Sequence, residues 1–180
     1  MALKTVIVTE TFIEQEDVNL RRGLERFKRL NDVGVRAGII EGLSEDYPDG
    51  MSVVEVATYN HEGTEHIPSR PWLTLAFDRN LPFMQAQMEA AANNILLGRT
   101  TIGRAMAQVG QQLSGMQRQS LQQLDTPPLS PRTIEAKRAA RKAGRKKSSG
   151  FPADNPLIET GHLLEQHVFV VEGAGVVKNK

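Results

Sequence analysis

The sequence predicts an α+β fold: a small, mostly antiparallel sheet covered by several helices, with long helices in the middle of the chain. Three observations carry this. β-Branched segments with alternating polarity lie towards the two ends, at Leu3–Thr9, Val33–Glu41 and Gln166–Val171. Between them, Trp72 to Leu124 is dominated by good helix formers, with apolar residues at helical spacing. Finally, 180 residues with 39% hydrophobic content are enough for one core, so a single domain over 1–180 is expected.

The elements follow in order. Leu3–Thr9 reads as a strand. Asp17 is a candidate N-cap for an amphipathic helix carrying Leu20, Leu24, Phe27 and Leu30 and ending near Asn31. In Val33–Glu41, Val33, Val35, Ala37 and Ile39 share one face, while Gly34, Arg36 and Gly38 share the other: a half-buried strand. Ser44 to Gly50, with Tyr47-Pro48-Asp49-Gly50, has turn chemistry. Ser52, with Glu55 three residues on, opens a short helix, and Gly63 is placed to end it in the left-handed conformation. Pro68 and Pro71 hold Ile67 and Arg70 extended, so Ile67 to Pro71 is expected to be a straight, rigid connector. Trp72 then starts an apolar run in which Leu73, Phe77 and Leu81 stack, and Pro82 marks a break or a new first turn. Phe83 to Leu97 continues as helix and Gly98 closes it.

Thr101 to Leu124 is the longest periodic stretch. Ile102, Met106, Val109, Leu113 and Met116 are spaced 4-3-4-3. Either a core helix or a coiled-coil interface has that seam, and the core helix is preferred. Gly103 and Gly110, beside it, would let another backbone approach. Ser130-Pro131 is an N-cap and first turn. From Arg132 to Lys147 there are eight basic residues against Glu135 alone, a net +7; the chain's total of +1 leaves −6 for everything else. This basic arm and linker spans about 132–156. Leu163 to Val171 ends the fold as a strand, with Gly173 to Lys180 a tail.

Two blocks of this sequence resemble a known family. Ala57-Thr58-Tyr59-Asn60-His61-Glu62-Gly63-Thr64 followed by Ile67-Pro68-Ser69-Arg70-Pro71-Trp72-Leu73 is similar to the "A-x-x-N-E-x-G-T…I-P-A-R-P-F-L" signature of the tail-completion and head–tail joining proteins of tailed bacteriophages. Pro128-Leu129-Ser130-Pro131-Arg132-Thr133-Ile134 with Lys137, then Pro156-Leu157-Ile158-Glu159-Thr160-Gly161-His162-Leu163, is similar to that family's "L-S-P-x-T-I-x-x-K…P-L-I-D-T-G-x-L". Val35 to Ile40 and Tyr47 to Gly50 extend the likeness over most of the chain. His61 intervenes before Glu62, Trp72 stands for Phe and Glu159 for Asp. The basic stretch from Arg138 to Gly150 is longer than the pattern.

The resemblance implies a structural virion protein that completes the tail end and joins it to the head connector. It implies a homo-oligomeric ring, with a hexamer as the stoichiometry to test. Its partners would be neck and tail proteins such as the tail terminator, connector and tail tube. It would act in the virion, after assembly in the host cytoplasm. The motif residues Asn60, Glu62, Gly63, Thr64, Ile67, Pro68, Arg70, Pro71, Trp72, Leu157, Ile158, Thr160 and Gly161 are then contact or structural positions. An alternative is a nucleic-acid-binding accessory protein acting through the arm. Lys137, Arg138, Arg141, Lys142, Arg145, Lys146 and Lys147 are dense enough to neutralise phosphates, including those of packaged DNA. An acidic surface on a neighbouring copy is the preferred partner for them, ahead of DNA, with a solvated face as the remaining reading.

Other chemistries find little support. Cysteine is absent, which excludes disulfides and thiolate metal sites. His61 and His66 straddle a turn, His162 and His167 lie five apart, and neither pair has the spacing of two ligands on one helix face. No glycine-rich phosphate loop follows a strand, and no nucleophile has an evident base. No catalytic, cofactor or metal residues are assigned. No stretch approaches the ~20 apolar residues of a membrane span, and Met1 to Glu10 lacks the pattern of a signal peptide.

Overall fold

The computed structural model describes residues 18–144, 150–173 and 177–179. Among the described residues, six helices and three strands occur in the order α1 (Val18–Leu30), β1 (Gly34–Gly38), α2 (Val53–Glu62), α3 (Trp72–Leu96), α4 (Ile102–Gln123), α5 (Pro131–Lys142), α6 (His162–Glu165), β2 (Val168–Glu172) and β3 (Val177–Asn179). The fold is α+β with long central helices, as the patterning predicts. The strand read at Leu3–Thr9 and the cap at Asp17 lie outside the described residues.

The sheet is antiparallel throughout, with order β1-β2-β3. Val35 stands opposite Val171, and Ala37 opposite Phe169, so the alternation read in 33–39 puts its apolar face on the core. Arg36, on the other face, pairs with Glu172 in an exposed ion pair of little energetic weight. The expected tail is partly strand, since Val177–Asn179 returns along β2. The expected strand start at Leu163 is instead a helical turn, because Gly161 (φ 91) turns the chain and its carbonyl accepts from Glu165 N.

α4 is the spine of the molecule. Thr101 caps it by accepting from Arg104 N. Met106 and Val109, with Ile102 and Leu113 half-buried, pack on Val35, Phe169 and Val171, so the seam faces the sheet of its own chain. What approaches Gly110 is a ring rather than a backbone: a Cβ there would run into Phe169 Cδ2. The other end of α4 supplies Leu121 and Leu124 to a second cluster with Val53, Ala57, Trp72, Leu157, Ile158 and Leu163.

α3 corrects the expectation of a break. It runs 25 residues through Pro82. Proline removes one backbone donor and crowds the carbonyl four residues back, here Asp78, but both residues are exposed, so water can solvate that carbonyl. No helix among the described residues is long and apolar enough to cross a membrane.

Candidate functional site

The first motif folds as a closed knot of hydrogen bonds at the end of α2. Ser52 caps that helix by accepting from Glu55 N, and Gly63 N–H donates to Tyr59 O at 3.0 Å. Gly63 has φ 85 and ψ 172, outside the left-handed helical region expected for it and in a region open essentially to glycine alone. Its Cα also faces backbone: a Cβ would lie 2.7 Å from Ser69 N and 2.9 Å from Ile67 O. The expected straight connector is in fact folded back. Thr64 N donates to Ile67 O, Thr64 Oγ1 accepts from His66 N and Ile67 N, and Arg70 N donates to Asn60 O at 2.8 Å. Ser69 Oγ closes the knot on His61 O at 2.7 Å. The hydroxyls of Thr64 and Ser69 supply bonds that proline geometry alone does not foresee.

Arg70 leaves this knot and ties it to the second motif. It is 3% exposed, and Nε donates to Pro127 O at 3.0 Å while Nη2 reaches Pro128 O at 3.5 Å. Burial lowers its pKa from the ordinary arginine value. Trp72 is fully buried against the same cluster that holds Leu157 and Ile158. Its indole N–H donates to His167 Nε2 at 3.3 Å, and its carbonyl accepts from Ser120 Oγ at 2.7 Å. An indole can only donate, so His167 carries its proton on Nδ1, which faces Leu163 O at 3.0 Å. Burial pushes the His167 pKa down to about 4, against two backbone hydrogen bonds that work in the other direction.

The basic stretch is divided in two by the fold. Ser130 Oγ caps α5 with Pro131 at its start. Lys137 is 8% exposed and donates to Asn155 O at 2.9 Å and Ile158 O at 3.2 Å. Arg141 donates to Phe151 O at 2.7 Å and Glu159 O at 3.2 Å. These two cations, expected among the partner contacts, instead serve as internal clamps for the Pro156-to-Gly161 block. Asn155 Oδ1 also accepts from the N–H groups of Leu157 and Ile158, and Thr160 Oγ1 from His162 N. Arg138 and Lys142 are exposed; Arg145, Lys146 and Lys147 lie outside the described residues. The 3-4 spacing of Ile134, Lys137 and Arg141 was the signal for this division, masked in the sequence by the density of charge.

The Tyr47 loop joins the same place. Tyr47 packs on His162 with ring centroids 4.5 Å apart, and His162 Nε2 meets Glu45 O at 2.9 Å. Burial, with the Glu159 and Asp49 carboxylates near, raises the Tyr47 pKa. Of the motif residues, Glu62, Thr64 and Pro68 remain exposed, while Arg70, Trp72, Leu157, Ile158 and Gly161 are buried. No family model, curated protein or solved structure matches this chain.

Among the described residues, no group of three or more His, Asp or Glu is placed to hold a metal ion. His61 is edge-on to Trp72 at 5.1 Å and shares a 3.3 Å contact with Thr74 Oγ1, a packing role. A basic surface that sequence reading missed lies elsewhere. Arg26, Arg29, Arg99 and Arg104 line one open cleft of about 690 Å³ beside the start of α4, with no Asp or Glu among its described lining residues. These arginines are scattered over three elements, so no charge run announces them.

Proposed function

We propose that this chain is a structural virion protein of a tailed bacteriophage, completing the tail end and joining it to the head connector as an oligomeric ring. The observation that supports it is convergence. Blocks that resemble the family signature lie more than fifty residues apart in sequence, yet Arg70, Trp72, Lys137 and Tyr47 tie them into one cluster. Their polar groups are spent on backbone carbonyls and N–H groups, which makes a stiff part rather than a reaction site. Exposed motif residues such as Glu62, Thr64 and Pro68 on that stiff turn are then the contact points for neighbours. Ring closure asks for a head-to-tail, heterologous contact between copies.

The test is an infection in which this chain is not made. Filled heads and separate tails accumulating in the lysate would support the reading. Intact tailed particles in normal number would overturn it.

A second reading, contact with nucleic acid, is favoured by the arginine cleft more than by the basic stretch. The cleft gathers four guanidinium groups without a lining carboxylate, whereas α5 turns two of its cations inward. The two readings are compatible, because packaged DNA passes through a head–tail junction.

A further inference from the structure

α3 carries an apolar stripe that the described residues leave open. Phe77 is 50% exposed, Leu81 39% and Met88 45%, and Met84 is half-buried between them. At 100° per residue these four side chains fall within about 60° of the helix circumference. Their spacing is 4-3-4, which reads the same in both directions. An antiparallel copy of α3, related by a two-fold axis passing between Pro82 and Phe83, therefore sets Phe77 against Met88 and Leu81 against Met84. The same two contacts recur on the other side of the axis. Such self-complementarity is what an isologous contact requires.

The surroundings fit the same partner. Met84 and Met88 are also one wall of an apolar pocket of about 180 Å³, whose other walls include Val33, Val35, Met106 and Met116. That volume suits one aromatic side chain and is below the range of small-molecule sites. The two-fold register brings the partner's aromatic ring to the mouth of this pocket, where methionine sulfurs make favourable contacts with it. Asp78 and Glu89 flank the stripe on one side, and the register sets Asp78 of each copy beside Glu89 of the other, so the contact is held by apolar burial and tightens as salt screens these like charges.

We infer that the α3 stripe of Phe77, Leu81, Met84 and Met88 is a two-fold docking surface for a second copy of this chain. This contact goes beyond the ring contact proposed above: it closes on itself, whereas a ring contact is head-to-tail. It stands whether or not the virion reading does.

Because the chain has no cysteine, cross-linking can be made specific. Chains carrying Phe77→Cys and chains carrying Met88→Cys are purified separately and oxidised alone or as an equimolar mixture. In the two-fold register the sulfurs of unlike variants meet, while like variants hold theirs about 16 Å apart along the axis. A disulfide-linked pair formed in the mixture and several-fold weaker in either variant alone is expected. Equal cross-linking in all three samples, or none in the mixture, overturns the proposal. Light scattering on the full chain gives the second readout: Leu81→Asp, with an unchanged circular dichroism spectrum, should halve the mass of the dimer. A mass unaffected by Leu81→Asp, or a wild-type chain that is monomeric at high concentration and high salt, would equally refute it.

Discussion

Gly63→Val should be among the most damaging single changes in this protein. Two costs add. A β-branched residue at φ 85, ψ 172 sits in a region populated almost solely by glycine, at about 1–3 kcal/mol. Its Cβ would also lie 2.7 Å from Ser69 N and 2.9 Å from Ile67 O, both backbone atoms that cannot swing aside. Relief means opening the turn, which loses the Thr64 N–Ile67 O and Arg70 N–Asn60 O bonds at about 1 kcal/mol each. The sum is about 3–5 kcal/mol, which for a chain of this length lowers Tm by on the order of 10 °C. Gly98→Ala is the control. Gly98 also has positive φ (69), but the atom its Cβ would meet is the tip of the Arg26 side chain, which can move, so the cost is about 1 kcal/mol. Thermal unfolding of both variants is the assay. A Gly63→Val chain melting within about 2 °C of wild type, or above Gly98→Ala, would refute the account of this turn.

Four further outcomes are expected. Trp72→Ala should cost about 3–5 kcal/mol, because the ring is fully buried; a Tm shift within about a degree would contradict that. His167, held near pKa 4 in the fold against about 6.5 unfolded, stabilises the protein fully above pH 6.5, and this is lost as pH falls towards 4. The loss is about 3 kcal/mol, and denaturant melts across that window should flatten in His167→Gln. Lys137→Ala should destabilise by about 1–3 kcal/mol by uncoupling α5 from the carbonyls of Asn155 and Ile158, while Arg138→Gln, exposed one residue along, should leave Tm unchanged. If the chain contacts DNA, converting Arg26, Arg29, Arg99 and Arg104 to Gln should reduce the slope of log affinity against log salt by up to about 0.9 per lost phosphate contact, more than Arg138→Gln with Lys142→Gln does; the reverse order would return the contact to the arm.

What was legible in the sequence was what local chemistry decides. Ser52, Thr101 and Ser130 cap helices where their side chains can reach a free N–H, and the alternation in 33–39 fixes which face of β1 is buried. The preferred core role of the α4 seam also follows, since Met106 and Val109 pack on the sheet. Three of the features that were not legible each have a tertiary reason. Pro82 is tolerated because it is exposed in a long helix, a fact of position rather than of residue type. Ile67 to Pro71 folds back because Thr64 and Ser69 find backbone partners, which no dihedral preference reveals. Lys137 and Arg141 turn inward because the carbonyls of 151–159 arrive from later in the chain; sequence registers their charge but not who is waiting for it.

The proposed structural role at the junction of head and tail fixes where the chain must sit in the particle. Gold-labelled antibody against this chain, applied to tail-bearing particles of its source and viewed by electron microscopy, should decorate a single collar between head and tail. Label on the capsid shell, at the distal tip of the tail, or absent from particles altogether would contradict it.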